Sequence, residues 1–250
     1  MEKRLKFLVL GDACIDEYRF GTVDRLNPEA PVPILNFSRV ETKEGMAGNV
    51  YRNLVALGAS VDLRIPAGDL TRKIRYIDQK SGMHLLRVDH EVAALEYAFK
   101  DDLTQYDALV VSDYNKGFVT DAVIHGLRDR FTGPIYMDTK KRDLGGIEDV
   151  WIKINQIEKD ALTSLPPAEK LIVTLGNKGC YYNGQHFPAK AINVVDVCGA
   201  GDTFLAAFAY QHTRTQNTPE ALRFANRGSG ITCQHIGVYA PTKEEILCTF

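Results

Sequence analysis

Apolar and polar positions divide this chain into two kinds of segment. Residues 7–10 form a short unbroken apolar run closed by Gly11-Asp12, the pattern of a buried parallel strand. Residues 17–44 differ: Val32, Ile34 and Phe37 alternate with polar neighbours, and Pro28, Pro31 and Pro33 interrupt them. That predicts exposed strands and turns in a β-element projecting from the main body. Val50, Leu54 and Leu57 recur at helical spacing and Gly58 follows, predicting a helix over 46–57. Residues 71–89 read as two strands around Ser81-Gly82.

From there strands and helices alternate. Strands are predicted over 108–112, 135–138, 150–154 and 171–175. Helices are predicted over 120–130, 202–212 and 219–227, with Thr120 and Thr218 as caps and Pro219 in the first helical position. Thr242 and Glu245 make a capping-box pattern that opens the last helix. The alternation predicts an α/β protein with a mostly parallel sheet covered on both faces, its ligands beyond the carboxyl ends of the strands.

Composition narrows the function classes. The 30 basic and 32 acidic side chains nearly cancel, so neither nucleic acid nor a membrane surface is an expected partner. No run approaches the roughly 20 apolar residues of a membrane span, and the apolar run near the N-terminus is too short for a signal-peptide core. Cys14, Cys180, Cys198, Cys233 and Cys248 form no CxxC pair, which predicts free thiols and a cytoplasmic setting. With 250 residues, a single domain is expected.

The richest chemistry lies in Asp196-Val-Cys-Gly-Ala-Gly-Asp202. Gly199, Ala200 and Gly201 precede an apolar helix, whose free N–H groups can bind an anion. Asp202 in the first turn would repel a phosphate, yet fits a base that deprotonates an attacking hydroxyl. Complementing the helix dipole is an equal alternative. Thr174, Gly176 and Gly179 after a strand suit close approach to a nucleotide, or a plain hairpin turn. Asn155 and Glu158 offer hard oxygens to magnesium, directly or through water, or simply cap a helix. Asp12 and Asp16, just past the first strand, could bond sugar hydroxyls, or Asp12 could simply cap a turn, and Gly45 and Asn49 could face the same cleft. The histidines show no metal spacing, and no serine has a nucleophile-elbow context.

In this order the motifs resemble the PfkB (ribokinase-like) carbohydrate kinases. The resemblance implies a three-layer ribokinase-like sandwich with a small β-sheet lid, formed by about 17–44 and 71–90. It implies ATP as co-substrate, Mg2+ held through water at Asn155 and Glu158, and Asp202 as catalytic base over an anion hole of Gly199, Ala200 and Gly201. Thr174, Gly176, Gly179 and Asn226 would bind ATP. Asp12, Asp16, Gly45 and Asn49 would bind the sugar.

Within the family, Asn27-Pro-Glu-Ala-Pro-Val-Pro33 and Ser112-Asp-Tyr-Asn-Lys-Gly117 resemble members that phosphorylate D-glycero-D-manno-heptose 7-phosphate at its anomeric hydroxyl. Those members serve ADP-heptose synthesis for lipopolysaccharide. Lys116 and Lys140 would then meet the phosphorylated end of that substrate or the ATP phosphates. A homodimer through the lid and a monovalent cation near 225–237 follow from the same resemblance. The chain departs from it in three places: a βα unit is missing near 64–70, Cys198 replaces Thr, and Ile154 replaces Pro. Another acceptor (ribose, fructose or a fructose phosphate) and a non-catalytic nucleotide- or sugar-binding protein are the alternatives.

Overall fold

The computed structural model describes residues 3–248. Its strands are β1 (Lys6–Gly11), β2 (Ala13–Leu26), β3 (Pro33–Met46), β4 (Ser60–Arg64), β5 (Thr71–Asp78), β6 (His84–His90), β7 (Ala108–Asp113), β8 (Ile135–Thr139), β9 (Val150–Asn155), β10 (Leu171–Thr174), β11 (Cys180–Tyr182) and β12 (Gln185–Phe187). Its helices are α1 (Ala47–Ala56), α2 (Asp121–Arg130), α3 (Gln156–Asp160), α4 (Ala200–Thr215), α5 (Thr218–Thr232) and α6 (Lys243–Cys248).

An eight-stranded sheet runs β12-β11-β10-β9-β8-β7-β1-β4. Its strands are parallel from β10 to β4, and the hairpin β11–β12 closes the far edge in antiparallel fashion. Side chains alternate across the sheet. Phe7, Val9, Val110 and Tyr136 pack under α1, α4 and α5, whereas Leu8, Leu10, Leu109, Val111 and Met137 pack under α2. These three layers are the architecture the alternation of strand and helix predicts.

A second sheet, β3-β2-β5-β6, is built from the two stretches read as projecting strands. The chain enters it directly from β1 through Asp12 and leaves it from β3 straight into α1. Met46 makes that last turn at φ 55°, a left-handed conformation unusual for a side chain of its size. The β5–β6 hairpin turns at Ser81-Gly82, with Gly82 at φ 71°.

Two details differ from the sequence reading. The cap of α5 is Asn217, whose side chain accepts from the Glu220 N–H. Thr218 is already helical, and the helix runs on to Thr232. Strand β4 was not expected. Its five residues pair in register with β1 and are all half-buried at the sheet edge, so neither an apolar run nor a clean alternation marks them. Among the described residues, no helix is long and apolar enough to cross a membrane.

Candidate active site

Helix α4 begins where Gly199 adopts φ 76°. A side chain there would be strained, and its Cβ would lie 2.7 Å from Asn49 Nδ2 and 2.8 Å from Val238 Cγ1. This close approach brings the start of α4 against the start of α1. Asp202, in the first turn, is buried. Asn49 Nδ2 donates to its Oδ2 at 2.9 Å, and the Tyr114 hydroxyl donates to its Oδ1 at 3.2 Å. Burial pushes the Asp202 carboxyl up to about 6. The bond from Asn49 opposes this, nearby Asp138 adds to it, and Lys153 and Tyr114 also oppose it. Burial likewise lifts the Tyr114 phenol well above its ordinary value, with Asp202 adding to the effect, so the phenol remains a donor.

Beside Asp202 opens a cavity of about 510 Å³, of a size that accepts a nucleotide. Thr174, Gly176 and Gly179 border it, together with Ala200 and Gly201 of α4 and Asn226 and Ser229 of α5. The Thr174–Gly179 loop is a β10–β11 hairpin turn, with Gly176 and Gly179 at positive φ, and it borders the cavity. Asn226 lines the cavity while its Nδ2 donates to the Phe187 carbonyl at 3.0 Å, tying α5 to the hairpin.

Asn155 and Glu158 form a complete capping box on α3. Asn155 Oδ1 accepts from the Glu158 N–H and Glu158 Oε2 accepts from the Asn155 N–H, each at 2.8 Å. The other Glu158 oxygen accepts from Lys140. Lys140 also meets Asp138 Oδ1 at 3.2 Å, and Asp138 Oδ2 accepts from buried Lys153 at 2.6 Å. Burial alone would raise the Asp138 carboxyl, but Lys153 and Lys140 hold it below the ordinary carboxylate value. The resulting file of alternating charges ends at the glycine turn that opens α4: a Cβ on Gly201 would lie 2.8 Å from Lys153 Nζ. Among the described residues, no group of three or more His, Cys, Asp or Glu could hold a metal ion directly.

Asp12 and Asp202 are linked through Tyr114, whose N–H donates to Asp12 and whose hydroxyl donates to Asp202. Asp12 is buried. Its Oδ2 accepts from the N–H groups of Tyr114 and Lys116 at 2.7 and 3.2 Å, while Oδ1 has no partner among the described residues. Asp16 pairs with Arg75 at 2.5 Å, both buried. Gly45 lies against the side-chain ends of Asp16 and Cys14 so closely that a Cβ there would have to displace them. Lys116 and Lys140, expected at a phosphate, are each paired with acids: Lys116 with Glu91 at 2.6 Å, and Lys140 with Asp138 and Glu158.

Sequence reasoning missed Tyr114, Arg75, Asp138 and Lys153 as site neighbours. Lys153 carried a signal, because a lone charge inside the apolar run Trp151-Ile-Lys-Ile154 needs a buried counter-charge.

The family model described as pfkB family carbohydrate kinase matches residues 147–245. Among curated relatives, the bifunctional protein HldE of Caulobacter vibrioides is 32% identical, covering 96% of this chain and 62% of its own length. The D-beta-D-heptose 7-phosphate kinase of Bordetella bronchiseptica is 31% identical, covering 97% of this chain and 95% of its own length. The chain thus spans just under two thirds of the length of the bifunctional relatives and nearly all of the other. The alignment with the Bordetella protein extends over 298 positions against 250 residues here, so that relative carries segments this chain lacks. Among solved structures, ribokinase from Thermotoga maritima superposes with a TM-score of 0.70 at 18% identity, covering 97% of this chain and 98% of that one. Phosphofructokinase-2 from Escherichia coli, in complex with substrates and products, superposes with a TM-score of 0.72 at 16% identity, covering 98% and 97%. The fold is ribokinase-like.

Proposed function

The chain belongs to the pfkB family of carbohydrate kinases, and from that premise we propose that it transfers the γ-phosphoryl group of ATP to the anomeric hydroxyl of D-glycero-D-manno-heptose 7-phosphate. The observation that carries the reading is Asp202: a buried carboxyl, raised to about 6, in the helix turn whose residues Ala200 and Gly201 line the 510 Å³ cavity, and joined through Tyr114 to Asp12. Above that pH it is a carboxylate and can take the proton of the attacking hydroxyl. The sugar oxygen then bonds to the γ-phosphorus as the bond to the ADP oxygen breaks. The N–H groups at the start of α4 face the charge that spreads over the transferred oxygens, and Lys153 adds a cation beside them.

Magnesium would neutralise charge on the ATP phosphates. The oxygens of Asn155 and Glu158 are already engaged with backbone and Lys140, so they suit the water shell of such an ion rather than direct ligation. The acceptor is assigned on two grounds: the 31% identity to the Bordetella heptose 7-phosphate kinase over almost its whole length, and the 27–33 motif. The second sheet acts as a lid over the sugar. Its outer face exposes Phe37, Val40 and Leu86, which a second copy would cover.

An ADP-release assay with heptose 7-phosphate, ribose, fructose and fructose 6-phosphate tests the function. Turnover of the heptose phosphate, falling about 10² to 10⁴-fold in Asp202→Asn, is expected. Faster turnover of another sugar would replace the acceptor, and binding without turnover would replace the catalytic reading. Light scattering tests the dimer, and a monomer at micromolar concentration would overturn it.

A further inference from the structure

On the second sheet, Asp16 of β2 stands directly between Lys43 of β3 and Lys73 of β5. Directly paired residues share a face, so the three form one row, on the side that turns toward Asp202. Lys43 reaches the Val238 carbonyl at 3.2 Å, next to the anion-hole turn. The ammonium of Lys73 lies 5.2 Å from the centre of the Tyr114 ring, whose hydroxyl touches Asp202.

A carboxylate flanked by two lysines ordinarily neutralises one of them. Here Asp16 is taken by Arg75 at 2.5 Å. Asp89, the neighbour of Lys73 on β6, is taken by Arg87 at 2.9 Å. Among the described residues, neither Lys43 nor Lys73 has a carboxylate within ion-pair distance. The remaining lysines around the cleft, Lys116, Lys140 and Lys153, all do. Two half-buried ammonium groups without a counter-charge make an electrostatic demand that sugar hydroxyls do not meet and an anion does. Their backbones are two strand spacings apart, about 10 Å, a span from which two lysine side chains can converge on one phosphate.

We propose that Lys43 and Lys73 bind the phosphate monoester of the acceptor, and so select a phosphorylated over a neutral sugar. The inference rests on the sugar-kinase reading and names the part of the site that sets its substrate class. Lys116 and Lys140, engaged with acids, hold the surrounding loops instead.

The test compares Lys43→Met, Lys73→Met, the double variant and Lys73→Arg with the parent protein. Calorimetric binding of heptose 7-phosphate and of unphosphorylated heptose is measured beside the KM for ATP. Each methionine variant should weaken heptose 7-phosphate about tenfold to a hundredfold, leaving the neutral heptose and the ATP KM unmoved, and Lys73→Arg should keep most of the affinity. An equal loss for both sugars, a rise in the ATP KM alone, or no change overturns the proposal. If the parent protein turns over no heptose phosphate, the proposed function fails separately, and a panel of hexose and pentose phosphates serves as the binding probe. Phosphate-dependent binding that the double variant loses still supports the lysine pair, and its absence overturns it.

Discussion

Asn49 Nδ2 stands 2.9 Å from Asp202 Oδ2, although 153 positions separate the two residues in the chain. The other end of the Asn49 amide accepts from Asn53 Nδ2 at 3.3 Å and Arg52 Nη2 at 3.4 Å, which turns its NH2 group toward the carboxylate. One helix start thus supplies the donor that stabilises the charged form of the Asp202 carboxyl on the other.

Asn49→Ala removes that donor while burial of Asp202 continues to favour the protonated acid. The acid limb of kcat/KM, expected near pH 6 in the parent protein, should move to higher pH, because a donor to the carboxylate form has been lost. A pH–rate profile with its limb unmoved would remove Asn49 from the tuning of the base.

Asp202→Asn should exchange activity for stability. The folded carboxyl titrates at about 6, above its ordinary value, so the folded chain holds this proton more tightly than the unfolded one. The group therefore favours folding fully below about pH 4, and the benefit is lost as pH rises through 6. At pH 8 the variant should be about 1–3 kcal/mol more stable than the parent protein, and the gap should close by pH 4. Urea melts at both pH values check this; a variant no more stable at pH 8 would contradict the buried-charge account.

Gly45→Ala puts a methyl group into Asp16 and 2.6 Å from Cys14 Sγ. Asp16 must then swing away from Arg75, releasing that guanidinium into the acceptor cleft. Overpacking of this kind costs about 1–3 kcal/mol. The acceptor KM should rise about tenfold through the lost polar contacts, with the ATP KM unmoved. Steady-state kinetics with each substrate varied in turn distinguish this from general damage, which would raise both.

Asp138→Asn leaves Lys153 buried beside a neutral partner. Breaking a buried pair from one side costs about 3–5 kcal/mol, so the urea midpoint should fall sharply. Replacing Asp138 and Lys153 together with Leu and Met should recover much of the stability without recovering turnover. A midpoint unchanged in Asp138→Asn would show that the charge file does not support the site.

The layered fold was legible because its causes are local. Apolar runs such as 7–10 and 108–112 make buried strands whatever surrounds them, and Gly199-Ala-Gly201 ahead of an apolar helix makes an N-terminus with free N–H groups. The prolines and alternation of 17–44 likewise set that stretch apart as strands outside the main sheet. The edge strand β4 was not legible, because its pairing with β1 depends on burial that residues 60–64 do not advertise.

Which distant charges pair belongs to the tertiary structure. Lys116 and Lys140 looked like free cations in the sequence, and Lys43 and Lys73 drew no notice. The folded chain reverses this by setting Glu91, Asp138 and Glu158 beside the first two and giving Asp16 to Arg75. An ammonium group's role depends on which carboxylate lies within a few ångströms, and pairs such as Asp16–Arg75 and Glu91–Lys116, far apart in the chain, reach that distance only through the packing of sheets and loops.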